Sequence, residues 1–259
     1  MSVFVRIFHF KKGFVITILL LAIACLYGYK HVASRHEEKY IAALSWVVAN
    51  KLIVIDPGHG GEDPGAIGTT GVHEKDIVLS VSKKLATILN EAGAEAVLTR
   101  ESDRDLSDAN AGDLDTAKIQ DLSRRVDLAN NRGADIFISI HVNSFPDPRE
   151  DGAQTFYQPG SEESKKLSVA VQDELNRFLA NPGREAKPVD YFANRMTKMP
   201  STIVEIGFIT NPKEEKMMLD QYYQGKVAWA VYAGIVRYFA LSKPAFAVPL
   251  SHFTDINKI

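Results

Sequence analysis

The chain has 259 residues, 46% of them hydrophobic and 24% charged, a balance that suits one ordinary globular domain with something small attached. Its formal net charge of -2 lacks the basic excess of a phosphate-binding surface, so nothing in the composition points to a nucleic-acid partner.

The small attachment comes first. Residues 1–12, with Arg6, Lys11 and Lys12, precede an uncharged apolar run from Gly13 to Tyr29 that Lys30 ends. At about 17 residues the run is short for a membrane span and long for a signal-peptide core. Either reading exports the rest of the chain, and the basic flank places the N-terminus in the cytoplasm and the bulk of the protein outside. The run is not succeeded by a good A-x-A cleavage site, so an uncleaved anchor helix is expected, with cleaved secretion as the alternative. Ala22-Ile23-Ala24-Cys25 faintly resembles a lipoprotein cleavage site. Residues 30–50 show no clear periodic element and read as a linker.

From Lys51 strands and helices alternate. Lys51–Ile55 is a short β-branched strand, and Glu74–Ala92 sets Ile77, Val81, Leu85, Ile88 and Ala92 on one helical face before a capping Gly93. Strand Ala96–Thr99, helix Ile119–Arg132, and strands Ile136–Ile140 and Ala153–Tyr157 come next. Helix Glu162–Leu179 turns Leu167, Val171, Leu175 and Phe178 inward; strand Ser201–Ile206 and the apolar helix Gln221–Phe239 close the pattern. The alternation predicts a single three-layer α/β domain over residues 51–240, its mostly parallel twisted sheet covered by helices on both faces. Residues 241–259 read as a tail.

In such sheets the site gathers at the strand ends and the loops beyond them. His59 lies four residues past the first strand, His141 ends the run "IFISIH", Glu205 ends "TIVE", and Glu74 opens the first helix of the domain. Cys25 is the only cysteine, so the exported part can form no disulfide. Any zinc bound there must be held by histidine and carboxylate, a set found in catalytic more than structural sites. Taken singly, a histidine after a strand or a glutamate at a helix start has an ordinary structural explanation. The four together are harder to explain that way.

The segments "IDPGHGGEDPGA", "GVHEKDIVL", "ISIHVNS" and "IVEIGFITNPKEE", in this order, with "VLTR", "LSRRVDLAN" and "GAQTFY" between them, resemble the zinc-dependent N-acetylmuramoyl-L-alanine amidases of the bacterial cell wall. The resemblance runs from about Lys51 to Phe239. Within that family the chain looks like the membrane-anchored, germination-specific spore amidases, with a short anchor, one catalytic domain and no wall-binding module. The resemblance implies that His59, Glu74 and His141 hold Zn²⁺, with a fourth position left for water, and that Glu205 is the catalytic base. It further implies a peptidoglycan substrate, cleaved between the lactyl group of muramic acid and L-alanine, membrane attachment with the catalytic domain on the wall side, and an activating or targeting protein as a further partner.

Other residues stay open. His73 reads as a solvent-exposed loop residue beside Glu74; Asp56 and Asn143 either orient ligands or form turns. Arg100 either meets a substrate carboxylate or pairs with the acidic loop Glu101–Asp115, and Glu214 and Glu215 read as the first turn of a helix after Asn211-Pro212. A zinc peptidase or deacetylase, and a wall-binding protein without catalysis, are the rival classes.

Overall fold

The computed structural model describes residues 12–108, 110, 112–181 and 183–242. The expected cytoplasmic segment up to residue 11 and the tail beyond residue 242 lie outside them.

The chain divides into two compact units, Met1–Ala43 and Leu44–Ile259. The first carries most of α1 (Lys12–Leu44), on which Ile16, Leu19, Leu20, Ile23 and Leu26 are exposed while Ile41 is buried. Among the described residues no helix is long and apolar enough to cross a membrane, so the structure lends the expected anchor no support. The apolar run is the opening of a longer helix that continues past Tyr29 through a charged stretch. Most of the segment read as a linker is therefore helical, and a 3-10 turn at Ser45–Val48 succeeds it. The helix over Gly13–Tyr29 was expected; its continuation through residues 30–44 was not, because the mixed charged sequence there shows no apolar stripe.

The second unit contains a six-stranded sheet. Its strands are β1 (Leu52–Pro57), β2 (Glu95–Leu98), β3 (Ile136–Asn143), β4 (Gln154–Tyr157), β5 (Lys187–Pro188) and β6 (Ser201–Phe208), in spatial order β2-β1-β3-β6-β4-β5. β2, β1, β3 and β6 run parallel, β4 runs antiparallel to β6, and β5 parallel to β4. The sheet is thus mixed, as a mostly parallel core with a reversed edge.

The helices are α2 (Glu74–Glu91), α3 (Leu114–Arg132), α4 (Glu162–Leu179), α5 (Phe192–Met196), α6 (Pro212–Met218) and α7 (Gln221–Ser242). Strand order steps from β1 outward to β2 and then back across β1 to β3. Right-handed crossovers in opposite directions place α2 and α3 on opposite faces of the sheet. On the α3 face Val54 and Phe137 pack with Ala129 and Ala134. The alternate residues Ile53, Ile55, Ile136, Ile138 and Ile140 are fully buried as well. Strands buried on both faces read as the continuous apolar runs seen in the sequence.

Caps set several boundaries. Asp113 accepts from the Thr116 amide and starts α3 five residues before the apolar periodicity does. Asn211 accepts from the Lys213 and Glu214 amides with Pro212 just inside α6, so Glu214 and Glu215 do fall in a helix's first turn. Neither the short α5 nor the two-residue β5 has a sequence signal, being too brief to show a period.

Candidate active site

β1 and β3 are neighbours at the point where the chain reverses its direction of sheet building, and the crevice outside their carboxyl ends is where an α/β sheet opens a site. His59 comes two residues after β1, because the strand extends to Pro57; His141 lies within β3 and Glu205 within β6. Glu74 is the first residue of α2, brought over the same strand ends.

The structure brings His59, Glu74 and His141 together, with one donor atom from each within 4.8 Å of the others. Glu74 Oε1 lies 3.3 Å from His59 Nε2 and 3.0 Å from His141 Nδ1. Two ligands of a tetrahedral zinc at its usual bond lengths sit about 3.4 Å apart, close to both of these separations, and imidazole and carboxylate are donors that zinc takes. The remaining acceptor positions of Glu74 are filled by the main chain: Ala66 N–H donates to Oε2 at 2.8 Å and Val142 N–H to Oε1 at 2.9 Å. Val142 lies at a register shift between β3 and β6, and a bulged amide freed from its ladder needs such an acceptor.

Asp63 was not anticipated. Its Oδ2 accepts from His59 Nδ1 at 2.8 Å, which leaves Nε2 toward Glu74 and fixes the ring's orientation. Its position four residues after His59 in "HGGED" is the only signal the sequence offered.

Two glycines are required by contact. A Cβ on Gly58 would meet the His141 ring at 2.3 Å, and one on Gly65 would meet Glu74 Oε2 at 2.6 Å. His59 itself takes a left-handed backbone conformation, φ 59°, which a side chain adopts only at a cost.

The electrostatics arise from this crowding. Burial pushes His59 down, but hydrogen bonds to Asp63 and Glu74 and their charges outweigh it and raise the imidazole to about 9. Burial pushes Glu74 up, yet hydrogen bonds with both histidines and their charges hold it well below the usual carboxylate range. The pocket therefore has a strong preference for positive charge. Glu205 pairs in register with His141 across β3 and β6. Burial raises its carboxyl to about 7, with Glu74 adding to the shift and the two histidines opposing it. Its Oε2 is buried and has no hydrogen-bond partner among the described residues. A half-buried carboxylate with one unpaired buried oxygen, poised near neutrality, is the form a proton-transferring group takes.

The remaining candidates fall outside the cluster. His73 is half-buried at the start of α2 and bridges Ile67 through its backbone. Asn143 accepts from the Ser144 amide at 2.8 Å, a turn role. Asp56 is buried, bonded to Thr99, Ser139 and Arg125. Arg100 is 1% exposed and donates to the main-chain carbonyls of Pro57, Gly58 and Lys75, and to that of Ser102 in the acidic loop, which it meets through the backbone rather than a carboxylate. Beside the site lies a cleft of about 1410 Å³ lined by Glu62, Asp63, Asp105, Asp108 and Asp121 with Lys118.

An α/β sheet whose carboxyl ends gather two imidazoles, a carboxylate and a second, isolated carboxylate defines a hydrolase with a metal-capable centre. Residues 53–237 match the family model described as N-acetylmuramoyl-L-alanine amidase, and the chain belongs to that family. It is 38% identical over 231 residues to the germination-specific N-acetylmuramoyl-L-alanine amidase of Bacillus subtilis, covering 88% of this chain and 96% of that protein. It is 35% identical to the Bacillus subtilis amidase LytC, over 76% of this chain but only 39% of that longer protein. Among solved structures, the Clostridioides difficile CwlD amidase in complex with the GerS lipoprotein matches with TM-score 0.72 and 38% identity, over 74% of this chain and 100% of that one. The protein is an N-acetylmuramoyl-L-alanine amidase acting on peptidoglycan.

Proposed function

We propose that this chain hydrolyses the amide between the lactyl group of N-acetylmuramic acid and L-alanine with the help of a zinc ion held by His59, Glu74 and His141. The observation that carries the reading is the convergence of these three donors, within 4.8 Å of one another, beside Glu205. When bound, zinc polarises the scissile carbonyl and acidifies a water at the open position. Asp63 holds the proton on His59 Nδ1 and so presents Nε2. Glu205 takes the proton of the attacking water as its oxygen bonds to the carbonyl carbon. It then returns that proton to the nitrogen as the C–N bond breaks, leaving a lactyl carboxylate and a free L-alanine amine.

The similarity to a germination-specific amidase supports a role in the spore cortex, where freeing muramic acid of its stem peptide is a step toward muramic-δ-lactam. Action outside the cytoplasm fits a wall substrate; membrane attachment through Gly13–Tyr29 rests on the sequence alone. The lipoprotein bound to the Clostridioides difficile relative supports the expectation of an activating or targeting partner.

Mass spectrometry of muropeptides after incubation with the zinc-loaded protein tests the reaction. New L-alanine amino termini are expected; release of D-alanine or acetate would assign a peptidase or deacetylase instead. Deleting the gene is expected to give cortex without the lactam and spores that complete germination poorly. Normal lactam, or chained vegetative cells, would assign a housekeeping wall amidase.

A further inference from the structure

Among the described residues two of the largest fully buried side chains are arginines, Arg100 and Arg125, exposed by 1% and 2%. A buried guanidinium is costly and is a poor device for stability alone. Their hydrogen bonds converge on one short stretch of main chain.

Arg125 donates to the carbonyl of Pro57 at 2.7 Å and, from its other terminal nitrogen, to that of His59 at 2.7 Å. Asp56 and Asp121 hold the guanidinium in place at 2.8 and 2.9 Å. Arg100 donates from Nε to Pro57 at 3.0 Å, and its Nη2 donates to both Gly58 and Lys75 at 2.8 Å. Three successive carbonyls, 57 to 59, are thus gripped, through a turn in which His59 is left-handed. Gly58 precedes His59, and Lys75 comes directly after Glu74. One nitrogen of Arg100 therefore ties the segment carrying one donor to the helix carrying another.

We propose that Arg100 and Arg125 are positioning residues that lock the His59 turn to the first turn of α2, so that the two donors are held at metal-binding distance before any ion arrives. The role needs a planar fork with several fixed N–H directions, which lysine lacks although it keeps the charge. The proposal rests on the reading of His59, Glu74 and His141 as ligands, and its test separates the two.

The full chain, stripped of metal by chelation, is titrated with zinc against a competing chromophoric chelator, with thermal unfolding and steady-state kinetics measured alongside. Arg100→Lys and Arg125→Lys are each expected to weaken zinc binding about 10- to 100-fold, the range seen when outer partners of ligands are lost, and to lower kcat with little change in KM. Gln172→Ala is the control, since Gln172 bonds the main chain of Thr155 and Ala153 on the α4 side of the sheet. It is expected to lower thermal stability while zinc affinity stays at the wild-type value. Wild-type affinity in a folded Arg100→Lys or Arg125→Lys protein overturns the proposal, as does an equal loss of affinity in Gln172→Ala. If Arg100→Lys does not fold, Arg125→Lys decides. Should the wild-type chain take up no stoichiometric zinc, or His59→Ala and His141→Ala bind it unchanged, the ligand reading falls and the proposal falls with it.

Discussion

Glu205, half-buried, and Asp56, buried, are carboxylates near the ends of parallel strands that flank β3, yet their surroundings push them in opposite directions. Glu205 has a buried oxygen with no donor among the described residues, and burial raises it to about 7. Glu205→Gln keeps the shape and removes the base, so kcat is expected to fall by roughly 10²- to 10⁴-fold while bound zinc stays stoichiometric. Near-normal turnover in steady-state assays would remove Glu205 from the mechanism. For Asp56, burial pushes upward, but the Arg125 charge and hydrogen bonds from Thr99, Ser139 and Arg125 outweigh it and hold the carboxyl below the ordinary aspartate value of 3.8. A folded pKa below the unfolded one means that the unfolded chain binds the proton more readily. The stabilisation is therefore complete above 3.8 and is lost as pH falls through the folded value. Urea unfolding across this range should show stability declining on the acid side in the wild type and a flatter acid limb in Asp56→Asn.

At the scale of elements, the site depends on three alignments: β1 beside β3, β3 beside β6, and α2 laid over their ends. The register pairs His141 with Glu205 directly, and the irregularity between His141 and Asn143 releases the Val142 amide to Glu74. A similarly close fit holds α7 against α4, well away from these residues. A Cβ on Gly234 would meet Val171 Cα at 2.4 Å, a backbone atom that cannot swing aside. Gly234→Ala is accordingly expected to cost about 1–3 kcal/mol, the usual range for overpacking a core. Thermal or denaturant unfolding measures it, and an unchanged midpoint would mean that the helices separate at no cost.

At the scale of the molecule, the core of the second unit lies between sheet and helices and includes none of the three donors: Ile53, Ile55, Val54, Phe137, Ile138, Val171 and Val231 are buried without them. A metal at the strand ends would then serve chemistry more than folding. Chelation is expected to abolish hydrolysis while far-UV circular dichroism keeps its helix and sheet signal. Loss of that signal on chelation would make the metal structural, and full activity after chelation would exclude it from the reaction.

Much of this was legible in the chain itself. β1 to β3, β6, α2, α4 and α7 lie close to where apolar runs and periodicity set them, because strands buried on both faces and helices buried on one write their environment into residue type. The same pattern placed His141 and Glu205 at strand ends, His59 in the loop beyond a strand and Glu74 at a helix start, and the order of their motifs identified the family. What the sequence could not state were the relations between distant segments. The reversed direction of β4, the pairing of His141 with Glu205, the hold of Asp63 on His59 and the burial of Arg100 and Arg125 arise only when loops far apart in sequence meet. Hydrophobic pattern reports which face of an element is dry; it carries no record of which carbonyl a buried guanidinium will find, so that part of the site was decided by the tertiary structure alone.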